Sequence, residues 1–231
     1  MQLEKHRAWD AVDRGWMAQR SAPFREAVRS ELTVAKYDSN SFLHHIGDDP
    51  GGIYAVIEGS FGVYGESRAE GIALGHIFRP GSWFGQGPAN SGQSRYLAFR
   101  TMEPSVVGLL SLESIVRINR ALPDASREFM SLSEYNQMIL ARVVTDLLIR
   151  KSDLRIASVL LRILGDDPQD DPCAGPPCTI TQTELSEMAN VSRHTANSVL
   201  RRFAEQGWVE LGYGRITLRH PAALHAFVSD R

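Results

Sequence analysis

The chain has 231 residues, 43% of them apolar, 23% charged, and carries a formal net charge of -2. A domain takes roughly 100–200 residues, so this length holds one or two cores, and we divide it in two near Leu112, where the pattern changes character. Near-balanced charge excludes a generally basic protein, so any surface for nucleic acid must be local.

The first twenty residues mix Glu4, Lys5, His6, Arg7, Asp10 and Arg14 among apolar ones, unlike the apolar run of a signal peptide. No stretch reaches the ~18 uninterrupted apolar residues of a membrane span, so a soluble, cytoplasmic protein without a membrane partner is expected. Within this segment Trp9, Val12 and Trp16 recur at three and four residues and share one face of an amphipathic helix, as a packing stripe would.

From 32 to 110, glycines cut the sequence into short β-like runs, the rhythm of a small sandwich or barrel. The predicted strands are 32–36, 42–45, 53–58, 61–64, 72–78, 96–101 and 106–110. Turns at Asp49-Pro50-Gly51-Gly52, Glu58-Gly59, Gly71 and Pro80-Gly81 separate them. A helix-like stretch follows over 111–121. Pro123 can then occupy the first turn of a long helix running to about Arg150 with no further Pro or Gly.

That helix is a rod of ~40 Å at ~1.5 Å per residue, longer than a small sandwich needs. Its apolar positions Phe129, Leu132, Ile139, Val143 and Leu147 recur at near-heptad spacing, with Asn136 in the same seam. One reading is a core helix lying across its own domain; the other, which we adopt, is a subunit interface about a two-fold axis.

Ser152 reads as the cap of a second amphipathic helix, with Leu154, Ile156, Val159, Leu160 and Ile163, ending at Gly165. Cys173 and Cys178 fall in a segment rich in Pro and Gly where no regular element is expected. Structural zinc generally wants four ligands, so no metal is assigned and the pair reads as two inert thiols in a loop.

The segment 181–203 contains two helices with a tight turn between them. Thr181 or Thr183 caps the first, which presents Leu185 and Met188, and Asn190 sits where the turn needs a left-handed backbone. Ser186 is small enough to let the second helix approach. Ser192 caps that helix, whose buried side is Ala196, Val199, Leu200 and Phe203 and whose other side offers Arg193, His194, Asn197, Ser198 and Arg201. Between Ser192 and Phe203 stand three arginines and no carboxylate, the local positive surface that the neutral whole conceals.

In a helix-turn-helix the first turns of the second helix enter the major groove. Arg193, His194, Asn197 and Ser198 are therefore expected at base edges. Thr181, Thr183, Ser192, Thr195 and Arg201 are placed for phosphates, which fix register without reading sequence. A β-hairpin turning at Gly212-Tyr213-Gly214 forms the wing, with Arg215 at the backbone.

With these motifs in place the chain resembles the Crp/Fnr family of transcription regulators. Pro80-Gly-Ser-Trp-Phe-Gly85 is similar to the glycine motif before the family's ligand cassette, Arg155-Ile-Ala157 to the start of its DNA-domain helix, and 180–218 to its winged helix. The resemblance implies an α+β architecture in three parts. These are a sensory β-roll (a cyclic-nucleotide-binding-like jelly roll with its N-terminal helix, 1–122), a dimerisation helix (123–151) and a winged helix-turn-helix (152–231). It further implies a homodimer on palindromic double-stranded DNA, with RNA polymerase as a further candidate partner.

The departures concern the effector. Cyclic-nucleotide binders of the family hold the ribose with Gly-Glu and the cyclic phosphate with Arg-Ser. The matching positions here are Gly85-Gln86 and Arg95-Tyr96, and Leu140 and Ala141 stand on the long helix where two hydroxyl residues face adenine in the cyclic AMP receptor. Three altered contacts at ~1–3 kcal/mol each would weaken binding by orders of magnitude, so cyclic AMP is not expected to act and no cofactor is assigned.

An iron-sulfur cluster is excluded by the missing N-terminal cysteines, and His44, His45 and His76 read as surface or core residues rather than haem ligands. Where many members carry Arg-Glu and then a second Arg, this chain has Arg193-His194 and Ser198, which predicts a different half-site. Two other functions compete: a small-molecule sensor acting through protein contact, and an enzyme. No nucleophile elbow, phosphate loop or metal-helix motif supports the enzyme.

Overall fold

The computed structural model describes residues 8–67, 71–164 and 178–229. Cys173 and the side chain of Cys178 lie outside them. Among the described residues no helix is long and apolar enough to cross a membrane.

The strands are β1 (Thr33–Tyr37), β2 (Phe42–His44), β3 (Gly52–Glu58), β4 (Phe61–Ser67), β5 (Gly71–Phe78), β6 (Trp83–Phe84), β7 (Ala98–Thr101), β8 (Ser105–Ser111), β9 (Cys178–Thr179), β10 (Val209–Gly212) and β11 (Arg215–Leu218). The helices are α1 (Ala22–Glu31), α2 (Gln86–Ser91), α3 (Leu112–Ala121), α4 (Ala125–Leu148), α5 (Ser152–Leu164), α6 (Gln182–Met188), α7 (Arg193–Glu205) and α8 (Pro221–Ser229). Each of the seven strands expected before residue 111 forms, six of them within two residues of their expected ends, while β4 runs three residues past its expected end at 64. α1, β6, α2, β9 and α8 had no place in the expectation, and Cys178 opens a short strand instead of lying in an irregular loop.

These elements gather into two compact units, each discontinuous in sequence. The first takes residues up to Val63 together with Phe78–Ile139; the second takes Tyr64–Ile77 together with Leu140 onward. The division does not fall at either end of α4. It cuts that helix between Ile139 and Leu140, and it assigns the β4–β5 hairpin to the second unit.

The first unit contains the four-stranded sheet ordered β1-β8-β3-β6, together with β2 and β7 of a second sheet ordered β2-β7-β4-β5. β3 alternates little because it is covered on both faces, and only its last residue, Glu58, is exposed. One core lies between the first sheet and the helices. Trp9, Val12 and Trp16 are all buried there, with Trp16 edge-on to Phe24 and Trp83, and Phe24 against Phe129. Truncating one of these aromatics to Ala would cost about 3–5 kcal/mol. The indole N–H groups do not go unsatisfied, since Trp16 donates to Ser131 Oγ (2.8 Å) and Trp83 to the Val12 carbonyl (2.9 Å). A second core groups the near-parallel rings of Phe78, Phe84 and Phe99, each against the other two at 4.2–5.9 Å.

The second unit packs α5 as its centre. Leu154, Ile156, Ala157, Val159, Leu160, Leu161, Ile163 and Leu164 are all buried. Around α5 stand α6, α7, α8 and the three-stranded sheet β10-β11-β9. Phe203, Trp208 and Phe227 close the far side with ring centroids 5.4–5.6 Å apart.

Candidate nucleic-acid interface

The helix-turn-helix is set by local chemistry. Thr181, not Thr183, caps α6, accepting from the Glu184 N–H (3.1 Å) while the Glu184 carboxylate accepts from the Thr181 N–H (2.8 Å), a reciprocal capping box. The turn places Asn190 at φ 46°, the left-handed position expected for it, and Val191 N–H closes back on the Ser186 carbonyl at 3.0 Å. Ser186 is buried and its hydroxyl donates to the Thr183 carbonyl (2.7 Å). Ser192 caps α7 by accepting from the Thr195 N–H (3.0 Å), and the two hydroxyls meet at 2.8 Å.

α7 then divides by face. Ala196, Val199, Leu200 and Phe203 are buried, while Arg193, His194, Ser198 and Arg201 are exposed and Asn197 is half-buried. Within the described residues Arg193, His194, Ser198 and Arg201 make no polar side-chain contact. The third arginine differs, because Arg202 is bound by Asp153 of α5 at 2.8 Å. Two arginines therefore remain available on a surface free of carboxylates.

The wing is the β10–β11 hairpin in the register Gly212↔Arg215, with Tyr213 fully exposed at its tip and Arg215 exposed beside it. β9 adds a third strand by pairing Thr179 with Arg215 and Cys178 with Ile216.

Sequence reasoning gave no role to two arginines of α5, although Arg155 stood in the motif matched to the start of a DNA-domain helix. Arg155 donates from Nε to the Ala189 carbonyl (2.5 Å) and from Nη2 to the Asn190 carbonyl (3.1 Å), the two carbonyls of the turn itself, and its Nη1 reaches the Ile149 carbonyl just past α4. Arg162 donates from Nε to Asp146 Oδ2 of α4 (2.7 Å) and from Nη1 to His76 Nδ1 of β5 (2.7 Å). Two arginines seven residues apart, and so on one face of a largely apolar helix, were the signal available.

In the first unit the candidate effector residues are engaged with the protein itself. Gly85 has φ 93°, and a Cβ there would meet the Gly52 carbonyl at 2.7 Å, so glycine is required. Arg95 is buried and donates to the carbonyls of Gly52 (2.9 Å) and Gly85 (3.2 Å), with its guanidinium 5.5 Å from the Tyr54 ring. Burial lowers its pKa from the usual arginine range. Gln86 accepts from Asn136 Nδ2 (3.0 Å), which also donates to the Trp83 carbonyl (3.0 Å). Tyr96 is exposed along much of its ring and sets its hydroxyl 2.7 Å from where a side chain on Gly87 would begin. Leu140 and Ala141 belong to the second unit and are exposed.

Most of the positions expected to form a subunit seam pack within the chain instead. Phe129 and Leu132 are fully buried in their own core, Asn136 is committed to Trp83 and Gln86, Ile139 packs against the phenylalanine core and Val143 is half-buried. The exposed apolar side of α4 instead carries Met130, Leu140, Val144 and Leu147, with Ser133 and Gln137 between them at the same three-and-four spacing. Only Leu147 is common to both sets.

Comparison with known proteins agrees with this anatomy. Residues 34–120 match the cyclic nucleotide-binding domain family, and residues 154–227 match the Crp-like helix-turn-helix domain family. The cAMP-activated global transcriptional regulator CRP of Pasteurella multocida is 24% identical over 185 residues, covering 80% of this chain and 88% of that relative. Among solved structures, a putative cyclic nucleotide binding protein from Ruegeria pomeroyi aligns with a TM-score of 0.69 at 16% identity over 99% of both chains. FixK2 from Bradyrhizobium japonicum aligns with a TM-score of 0.66 at 18% identity, over 84% of this chain and 96% of that one.

Proposed function

Because this chain belongs to the Crp/Fnr family, we propose that it works in the cytoplasm as a homodimer on a palindromic duplex site and that cyclic AMP does not control it. The observation that carries the reading is the open face of α7. Arg193, His194, Ser198 and Arg201 are exposed together on a helix whose other side is fully buried. In this reading Arg193, His194, Asn197 and Ser198 meet base edges in the major groove. Thr181, Thr183, Ser192, Thr195, Arg201 and Arg215 hold phosphates.

The dimer follows from α4. Its apolar positions Met130, Leu140, Val144 and Leu147 are exposed at heptad-like spacing and would be covered by the same face of a second copy. Two recognition helices about 34 Å apart would then face half-sites one helical turn apart.

The Pasteurella relative is described as activated by cyclic AMP; three features argue against the same control here. Arg95 donates to main-chain carbonyls, Gln86 offers an amide where a ribose hydroxyl calls for a carboxylate, and Tyr96 places an aromatic ring beside Gly87.

Selection of bound fragments from a random duplex pool tests the whole reading. A two-fold symmetric consensus is expected, with sedimentation giving twice the monomer mass. Indifference among duplexes at moderate ionic strength would instead favour a sensor that acts through protein contact.

A further inference from the structure

The second unit contains, in one compact body, the half of α4 that exposes Leu140, Val144 and Leu147, the helix α5 and the reading helix α7. Beside the apolar packing of α5, a set of polar contacts ties α4 to the turn that precedes α7. At one end of α5, Arg155 joins the Ile149 carbonyl to the turn carbonyls of Ala189 and Asn190. Two turns later Arg162, its side chain only 5% exposed, joins Asp146 of α4 to His76 of β5. The same strand donates its Leu74 N–H to the Glu187 carboxylate of α6 at 2.8 Å.

Arginine has only donors, so His76 accepts at Nδ1 and carries its proton on Nε2. Burial first, and then the Arg162 charge, hold its pKa well below the usual histidine range, which keeps the ring neutral and able to accept. The ion pair, the imidazole contact and the carboxylate-to-backbone bond run from α4 through α5 and β5 to α6, and the Arg155 bonds to the turn after α6 close the ring back to α5.

A stiff link between a dimer seam and a reading helix does one thing that a loose one cannot. It penalises DNA whose half-sites lie at the wrong distance. We propose that Arg155 and Arg162, with His76, Asp146 and Glu187 as partners, set the half-site separation that this protein accepts. They are positioning residues, touching neither base nor phosphate, and the proposal rests on the reading of the protein as a dimer on a palindrome.

The experiment uses the full chain and duplexes carrying two copies of its selected half-site. Their separation is changed one base pair at a time around ~10 base pairs, alongside a duplex with a single half-site. Wild type is expected to prefer one separation. Arg162→Met and His76→Phe are expected to reduce that preference about tenfold while binding the single half-site nearly as wild type does. His76→Gln, which keeps an acceptor, should recover part of the preference.

A merely structural role would weaken all duplexes alike and leave the ratio between separations unchanged; that result overturns the proposal. So does a wild-type protein that binds the half-site but shows no preferred separation. Should Arg162→Met fail to fold, Asp146→Asn and His76→Phe decide the matter. Failure of wild type to select any duplex would strike the functional reading itself.

Discussion

Arg193 and Arg201 stand on one exposed face of α7, eight residues apart, and are expected to fail in different ways. Arg193, in the first turn, can reach the paired acceptors of a guanine, so Arg193→Ala should lose ~1–3 kcal/mol of discrimination at one base position. Arg201, two turns on, is placed for phosphate. Arg201→Ala should therefore weaken all sequences similarly and lower the slope of log affinity against log salt by about one. Titrations on varied sites at two salt concentrations separate them, and equal loss of specificity in both variants would refute the assignment. His44 makes a second prediction, of stability. It is buried between Tyr54 and Phe99, neither ring nitrogen finds a well-aligned partner, and burial, followed by the charge of Arg95, lowers its pKa to about 4. Below pH ~6.5 the unfolded chain takes up a proton that the folded chain refuses until about pH 4, so stability is lost across that window and then levels off. The loss is on the order of 3 kcal/mol, and His44→Phe should remove much of it in thermal melts at pH 7 and pH 4.5. An unchanged pH slope in the variant would show that other groups carry it.

Among the elements, α4 carries the clearest consequence. Its exposed positions Leu140 and Val144 support no core of their own chain, so Val144→Glu should leave the fold intact and, on the proposed dimer, leave only monomer by sedimentation. DNA affinity should then fall by roughly two orders of magnitude at low protein concentration, because the two half-sites are no longer engaged together. A dimeric Val144→Glu would place the interface elsewhere. The same helix shows where sequence periodicity stops being informative. α4 has two apolar stripes about one residue apart in phase, one filled by Phe129 and Leu132 and the other by Met130, Leu140 and Val144. Spacing finds both, but only the packed neighbours Phe24 and Trp83 show which stripe the subunit keeps for itself. The helix-turn-helix was far more legible, because caps and the Asn190 turn are decided by residues within four positions of each other. β9 and β6, two residues each, carry no pattern long enough to read. The Arg162 contacts were invisible for another reason, since they join residues 16 and 86 positions apart.

For the molecule as a whole, the first unit bears on the proposal that cyclic AMP does not control it. Its Gly85, Gln86 and Arg95 are tied into its own backbone and into α4, so a cyclic nucleotide would have to displace those bonds before gaining any. A ligand present at a hundred times its Kd raises stability by ~2.7 kcal/mol, a readily measured rise in melting temperature. Cyclic AMP and cyclic GMP at millimolar concentration are expected to give no such rise and no change in duplex affinity; a rise with either would restore the nucleotide as effector. The path of the backbone adds a constraint of another kind. The chain passes from one compact unit to the other after Val63, returns after Ile77 and leaves again after Ile139. No single cleavage therefore releases the reader intact. A fragment beginning at residue 140 keeps both arginines of α5 but leaves behind His76 and the Leu74 amide, so the smallest faithful version of this reader includes strand β5, borrowed from the middle of its neighbour's stretch of sequence.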